Sequence, residues 1–378
     1  MSLSEAQKQY IRDVREELEQ LIRDLCAIPA PSLHEEKRAA FCRDWFVRNG
    51  FENVTVDEAC NVLAPVSVTE DNPLFVVMAH TDTVFPDMEK LPFSEDEKFM
   101  YSPGVTDDTA NLAVLMICAR YYLQNHPSRD HGVLFVANSS EEGLGNLKGC
   151  RCIMARYGHR VRQFLTADGL YPARMVTRAV GSHRYRIRVS TEGGHSFANF
   201  GNRNAIAVLA SLTTLLYSMK VPQEGNSRTT YNVGTVSGGT SVNTIAQDAE
   251  MTFEYRSDSR NCLAKMKRFL ENAVETFRAS GAEISVELIG DRPCSGEVDP
   301  GAFDLLKNKV RSAIGDIVGE EAVEAASSTD CNIPLSQGIP AVCISCCRGS
   351  GAHTRSEKLE KASLAEGCSL LLDILFRD

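Results

Sequence analysis

Four short apolar runs in this chain each end in side chains that bind metals. Residues 74–79 lead into His80-Thr81-Asp82, and residues 133–137 lead into Ser140-Glu141-Glu142. Residues 164–167 lead into Asp168, and residues 341–346 lead into a glycine-rich turn and His353. Apolar runs of this kind read as strands buried in a parallel sheet. Ligands of an open α/β sheet gather just beyond the carboxyl ends of its strands. The pattern therefore predicts that His, Asp and Glu side chains far apart in sequence converge on one cleft. That mixture of nitrogen and carboxylate donors suits zinc, or a similar divalent ion, bound for catalysis.

The 378 residues are too many for one typical domain and enough for two. A net charge of −10 argues against a nucleic-acid partner, because phosphate binding needs a basic surface. No apolar stretch is long enough to span a bilayer, so no membrane partner is expected. The first thirty residues are charged and helical, without the apolar region of a signal peptide, and a cytoplasmic location follows as the expectation. The thirteen cysteines are scattered and read as thiols in a reducing compartment. Cys343, Cys346 and Cys347 form a C-x-x-C-C run inside an apolar strand pattern, which favours buried small side chains over a redox or zinc motif.

Residues 5–27 read as one helix, with Ile11, Val14, Leu18, Leu21, Ile22 and Leu25 at helical spacing. A second helix is expected over 35–48, after the turn at Pro29-Ala30-Pro31-Ser32. Strands and helices then alternate up to Asp168, the mark of a helix-covered, mostly parallel sheet. Near Val180 the pattern changes. Tyr185, Ile187 and Val189 alternate with arginines, Met251, Phe253 and Tyr255 alternate with polar residues, and so do Ile284, Val286 and Leu288. These read as one-sided antiparallel strands. Two helices lie between them, carrying Leu209, Leu212 and Leu216 in one and Leu263, Met266 and Leu270 in the other. The order is that of a split βαβ, ferredoxin-like arrangement. The expectation is thus an α/β domain built from 1–180 and 292–378, with helices on both faces of its mixed sheet, and an inserted α+β domain at 181–291.

Each candidate residue also has a structural reading. His80 and Asp82 form H-x-D, in which the carboxylate would hold the second ring nitrogen of a ligating histidine. Asp107 and Asp108 precede the helix 110–124, where each reads as an N-cap ahead of the other reading, a bridging metal ligand. Glu141 and Glu142 lie between a strand and Gly143-Leu144-Gly145, so one could bind metal while the other serves as general base. Asp168 ends a strand, and His353 follows Gly349-Ser350-Gly351-Ala352, a turn able to swing a side chain into a cleft. His195, in Gly193-Gly194-His195, lies in the inserted domain and belongs to the cluster only if a domain or a second subunit brings it there. His34, His126, His131, His159 and His183 read as surface residues.

Taken together, these motifs resemble the cocatalytic dinuclear zinc peptidases, whose relatives include peptidase T, carboxypeptidase G, aminoacylase and succinyl-diaminopimelate desuccinylase. The peptidase T-like branch is most similar, and the resemblance covers essentially the whole chain. It rests on His80-Thr81-Asp82-Thr83, Gly104-Val105-Thr106-Asp107-Asp108, Glu141-Glu142-Gly143, Asp168-Gly169, Gly193-Gly194-His195, Asn243 with Arg256, and Gly351-Ala352-His353-Thr354. The resemblance implies a zinc exopeptidase-like fold holding two zinc ions per subunit, with cobalt or manganese as substitutes. Asp107 would bridge the ions, His80 and Asp168 would complete one site, and Glu142 and His353 the other. Glu141 would be the general base and Asp82 would orient His80. Asn243 and Arg256 would bind substrate, and His195 would reach the partner's active site in a homodimer formed through the inserted lid domain. The Asp107–Asp108 peptide is expected to be cis. Many relatives carry Lys where this chain has Thr109, a position that is not a ligand. Asp rather than Glu at 168 leans toward cleavage of short peptides, with N-acyl-amino-acid hydrolysis on the same site as the alternative. Two further readings are a non-catalytic relative, which the intact Glu141 opposes, and a thiol redox protein using Cys343, Cys346 and Cys347.

Overall fold

A computed structural model describes residues 3–377. The chain divides into two compact units, one formed by the residues up to 179 together with those from 296 on, the other by residues 180–295. In the first unit an eight-stranded mixed sheet runs in the order Thr55–Val56, Val62–Val66, Gly132–Asn138, Leu74–His80, Val161–Ala167, Ala341–Ile344, Arg174–Ala179, Val323–Ser327. The four strands with metal-ligand residues at their ends are central and contiguous. Each is parallel to its neighbour within that group, so their carboxyl ends open on the same edge of the sheet.

These strands carry near-continuous apolar sequence because helices cover both faces. Phe75, Val77, Ala79, Phe135, Ala137 and Leu165 face one apolar core, shared with the helices Asn111–Asn125 and Ser363–Phe376. The alternate residues Leu74, Val76, Met78, Leu134, Val136 and Phe164 face another, shared with the helix Lys148–Tyr157. No helix among the described residues is long and apolar enough to cross a membrane.

The single helix expected over 5–27 is two, Glu5–Asp13 and Arg15–Cys26, joined at Val14 with φ −91° and ψ 1°. Val14 still receives the helical bond pattern on both sides and is buried like Ile11 and Leu18, so the apolar spacing runs through the break without registering it.

A second, small sheet joins Gly349–Ser350, Lys358–Glu360, Phe99–Tyr101 and Ser94–Glu95. It anchors the loop whose tip is His353. Gly349 is required there, because a Cβ would lie 2.5 Å from the Lys358 carbonyl and from Thr106 Cγ2.

The unit at 180–295 is a four-stranded antiparallel sheet, ordered Thr229–Gly238, Asp248–Ser257, Gly181–Ser190, Glu283–Arg292. The helices Ala205–Tyr217 and Arg260–Ala279 share an apolar core with it, through Leu209, Leu212, Met266 and Leu270 against Ile187, Val189, Met251 and Phe253. Sequence order and strand order together are those of the ferredoxin-like split βαβ.

Candidate metal centre

His80 closes its strand, and three contacts orient it. Its backbone N–H donates to Asp108 Oδ2 at 2.8 Å. Ring Nδ1 lies 3.0 Å from the Asp82 carbonyl oxygen and 3.3 Å from Asp82 Oδ1. Nδ1 is therefore the donor side, and Nε2 faces Asp107 Oδ1 at 3.2 Å. The nearer partner is the Asp82 backbone, because the Asp82 carboxylate has other donors. It accepts from the Glu141 and Glu142 amides at 2.9 Å each and from Ser32 Oγ at 2.7 Å. Asp82 thereby ties the histidine turn to the turn that presents both glutamates. Buried Arg38 braces the same turn, donating to the Thr81 carbonyl at 2.8 Å and to the Leu25 and Ile28 carbonyls.

Asp107 and Asp108 are joined by a cis peptide and have non-helical dihedrals inside the turn Val105–Ala110. The turn starts at Gly104 with φ +75°, where a Cβ would sit 2.5 Å from Thr83 Cγ2. The two adjacent carboxylates separate in role. Asp108 is buried and accepts from the His80 amide and from Asn111 Nδ2 at 2.7 Å. Asp107 points toward the histidines. Its Oδ1 meets His80 Nε2, and its Oδ2 lies 3.0 Å from His353 Nε2, which is also 3.0 Å from Glu142 Oε1. Neither aspartate serves as a side-chain cap for the helix Asn111–Asn125.

Potential ligand atoms of His80, Asp107 and Asp168 lie within 4.8 Å of one another, and so do those of Asp107, Glu142 and His353. One carboxylate is common to both groups, with one oxygen toward each histidine. That is a donor set fitted to two cations sharing a bridge. Glu141 joins His80 and Glu142 in a third group of the same tightness, so it borders the pair.

The charges tell the same story. Burial pulls the His80 imidazole down, but the Asp108, Asp107 and Asp82 carboxylates more than offset this and hold its pKa well above the usual value. Hydrogen bonds to Asp107 and Glu142 raise His353 to about 10. Burial, with the Asp107 charge beside it, pushes Asp168 up to about 7. Converging carboxylates thus draw protons onto their neighbours wherever no cation balances them. Divalent ions in those positions would release these protons, since imidazole ligates as the neutral ring and carboxylate as the anion.

His195, Asn243 and Arg256 belong to the other unit. His195 is exposed, in the short pair Gly194–His195 with Thr244–Ile245, and the Ser196 amide bonds the Asn243 carbonyl at 3.0 Å. The Phe197 and Ala198 amides donate to His195 Nδ1 at 3.2 and 3.3 Å, which leaves the ring proton on Nε2. Arg256 lies on the strand Asp248–Ser257, and Glu254 engages its guanidinium twice, at 3.0 and 3.1 Å.

His183 is not a surface residue. It is half-buried, 2.7 Å from Tyr255 Oη and 3.3 Å from Asp291, because its strand is central in the sheet. His126 is likewise half-buried, its ring stacked on Tyr122. Cys343, Cys346 and Cys347 are buried, and burial pushes their thiols well above the ordinary range, the reverse of what a redox thiolate needs.

Sequence reasoning missed Asn111 and Glu357. Asn111 Nδ2 donates to Asp108 and to the Thr106 and Gly169 carbonyls, while its Oδ1 accepts from the Cys346 amide at 2.7 Å. Buried Glu357 accepts from the Gly104, Thr106 and Asp107 amides at 2.7, 2.8 and 3.0 Å and from the Thr106 hydroxyl.

The arrangement can be set beside known proteins. A probable carboxypeptidase of Arthroderma benhamiae is 27% identical over 199 residues, which span 47% of this chain and 42% of that relative. The crystal structure of a tripeptidase from Staphylococcus aureus superposes with a TM-score of 0.78 at 21% identity, covering 96% of this chain and 97% of that one. A Bacillus subtilis protein described as a dinuclear metal binding peptidase superposes with a TM-score of 0.67 at 17% identity, covering 97% and 98%. At such identities the structural likeness concerns the fold. The sequence pattern of peptidase family M20/M25/M40 matches residues 76–377, a span that runs from the His80 strand through both candidate triads to the last helix. This chain belongs to that peptidase family.

Proposed function

We propose that this chain is a dinuclear zinc peptidase that removes residues from short peptides. The carrying observation is the division of Asp107, one oxygen toward His80 and the other toward His353 and Glu142. His80, Asp107 and Asp168 would hold one ion, and Asp107, Glu142 and His353 the other. Ions held there supply Lewis-acid polarisation of the amide carbonyl and acidify water for the attack. Glu141, in the same turn as Glu142 and clamped through its amide by Asp82, takes the proton from the attacking water and passes it to the leaving amine. Asp82 holds this base and His80 in fixed relation.

The same reading gives His195, Asn243 and Arg256 to substrate binding, with a homodimer assembled through the inserted domain. His195 carries its ring proton on Nε2, the form that can donate to a scissile carbonyl oxygen. Thirteen free cysteines, most of them buried, suit a reducing compartment and favour a cytoplasmic enzyme.

The test combines metal content with turnover of di-, tri- and N-acetylated substrates before and after chelation. About two zinc ions per chain, with peptide hydrolysis lost on chelation and regained on zinc return, is the expected result. Turnover of N-acyl-amino acids alone would replace the peptidase reading by a deacylase on the same site. Full zinc occupancy with no turnover of any substrate would remove both.

A further inference from the structure

A cavity of about 310 Å³ inside the first unit is lined by Asp107, Asp168 and His353 and also by Arg174, Val176 and Ser345. That volume suits a small ligand. Arg174 opens the strand Arg174–Ala179, next to Met175, which pairs with Ile344 of the Asp168-flanking strand. It is exposed and is the one guanidinium in the lining. Among the described residues it has no ion pair, and its one side-chain hydrogen bond is a 3.5 Å contact to the Ala326 carbonyl. Five N–H donors in a rigid fork are therefore almost wholly unspent. Arg256, by contrast, has its fork closed on Glu254.

Once cations balance Asp107 and Asp168, the remaining uncompensated charge in this lining is the arginine's. A planar fork there matches a carboxylate bidentately. We infer that Arg174 anchors a carboxylate of the substrate, so that this cavity reads the acidic end of the peptide while the metal ligands hold its scissile amide. This rests on the peptidase reading above. Two groups on a short peptide offer that chemistry, the C-terminal carboxylate and an acidic side chain.

The experiment compares kcat/KM for Ala-Ala-Ala, its C-terminal amide, and Ala-Ala-Asp amide, in the zinc-loaded wild type, R174A and R174K. Wild type should favour one of the two carboxylate-bearing peptides over Ala-Ala-Ala amide by about 10- to 100-fold, the worth of a charge-assisted bidentate pair. Which one it favours identifies the carboxylate. R174A should bring that ratio close to one, mainly through KM, and R174K should keep an intermediate ratio because it restores charge without the fork. A wild type with no such preference, an R174A that keeps it, or a folded R174A that loses all three peptides equally would overturn the anchor and leave the peptidase standing. A wild type that cleaves none of the peptides would overturn the peptidase reading, and the anchor with it.

Discussion

Glu357 Oε1 accepts a 3.0 Å hydrogen bond from the backbone amide of Asp107, across 250 residues of sequence. The same carboxylate takes the Gly104 and Thr106 amides, so one buried side chain sets the path of the turn that aims Asp107. Burial raises the Glu357 pKa, and the Thr106 and Gly104 donors work against that rise. Glu357→Gln keeps the volume but turns an amide NH2 toward N–H donors, leaving at least one of them unmet at a cost of about 1–3 kcal/mol. Zinc affinity, read by competition with a chromophoric chelator, should fall about 10- to 100-fold, as it does when groups behind metal ligands are removed. Unchanged affinity in a folded E357Q would show that the turn holds its shape without this carboxylate.

Glu141 and Glu142 are neighbours in one turn, and the proposed roles separate them by different measurements. Glu141→Gln should keep both ions and lose about 10²–10⁴ in kcat, the usual worth of a general base. Glu142→Gln should instead shed zinc, because it replaces by a neutral amide the carboxylate that would share the second ion with Asp107 and His353. Elemental analysis beside kinetics reads both outcomes. Equal metal loss in the two variants would contradict the division.

Much of this was legible because strands buried on both faces carry no polar alternation to confuse them. The runs ending at His80 and Asp168 announced themselves, and so did the convergence of their ends. The strand Val62–Val66 was harder, since Pro65 interrupts it. Thr229–Gly238 is mostly exposed and rich in small polar residues, so neither period appears in it. Asp107 and Asp108 were indistinguishable as neighbours. Only the fold shows that one faces two histidines while the other receives a backbone amide. Glu357, in Arg355-Ser356-Glu357-Lys358, looks like a solvated charge, because its partners lie on a turn 250 residues away. Asn111 escapes notice because a lone amide opening an apolar helix gives no sign of its Gly169 and Cys346 partners, 58 and 235 residues away.

Glu95 offers a pH test away from the metal site. Arg23 Nε lies 3.0 Å from Glu95 and Lys361 Nζ lies 2.7 Å from it. Hydrogen bonds from Arg23 and then Lys361 hold the Glu95 pKa at about 2, below an ordinary 4.5. A carboxylate whose folded-state pKa is depressed adds stability that is complete above the unfolded value and fades as pH falls toward the folded one. The stability gap between wild type and E95Q should therefore be full above about pH 4.5 and shrink toward zero near pH 2. Urea unfolding of both proteins across that range measures the gap. A gap independent of pH would mean that the pair contributes nothing through charge. Salt should narrow it, since both ends of the pair keep contact with water.

The homodimer proposal makes a demand that a monomer cannot meet. If His195 serves the partner's site, H195A and E141Q homodimers are each nearly inactive for different reasons. In a mixed dimer the E141Q subunit supplies His195 to the H195A subunit, whose Glu141 is intact, so one complete site returns. Random exchange of equal amounts should then restore about a quarter of the wild-type rate, since half the dimers are mixed and each has one working site. His195 is exposed, and its ring is held by two backbone amides, so H195A removes a donor without opening a core. Dissociation and reassociation before the assay should be required for the recovery. Activity that stays at the sum of the two variants, despite verified mixed dimers, would place His195 in its own subunit's site or outside catalysis altogether.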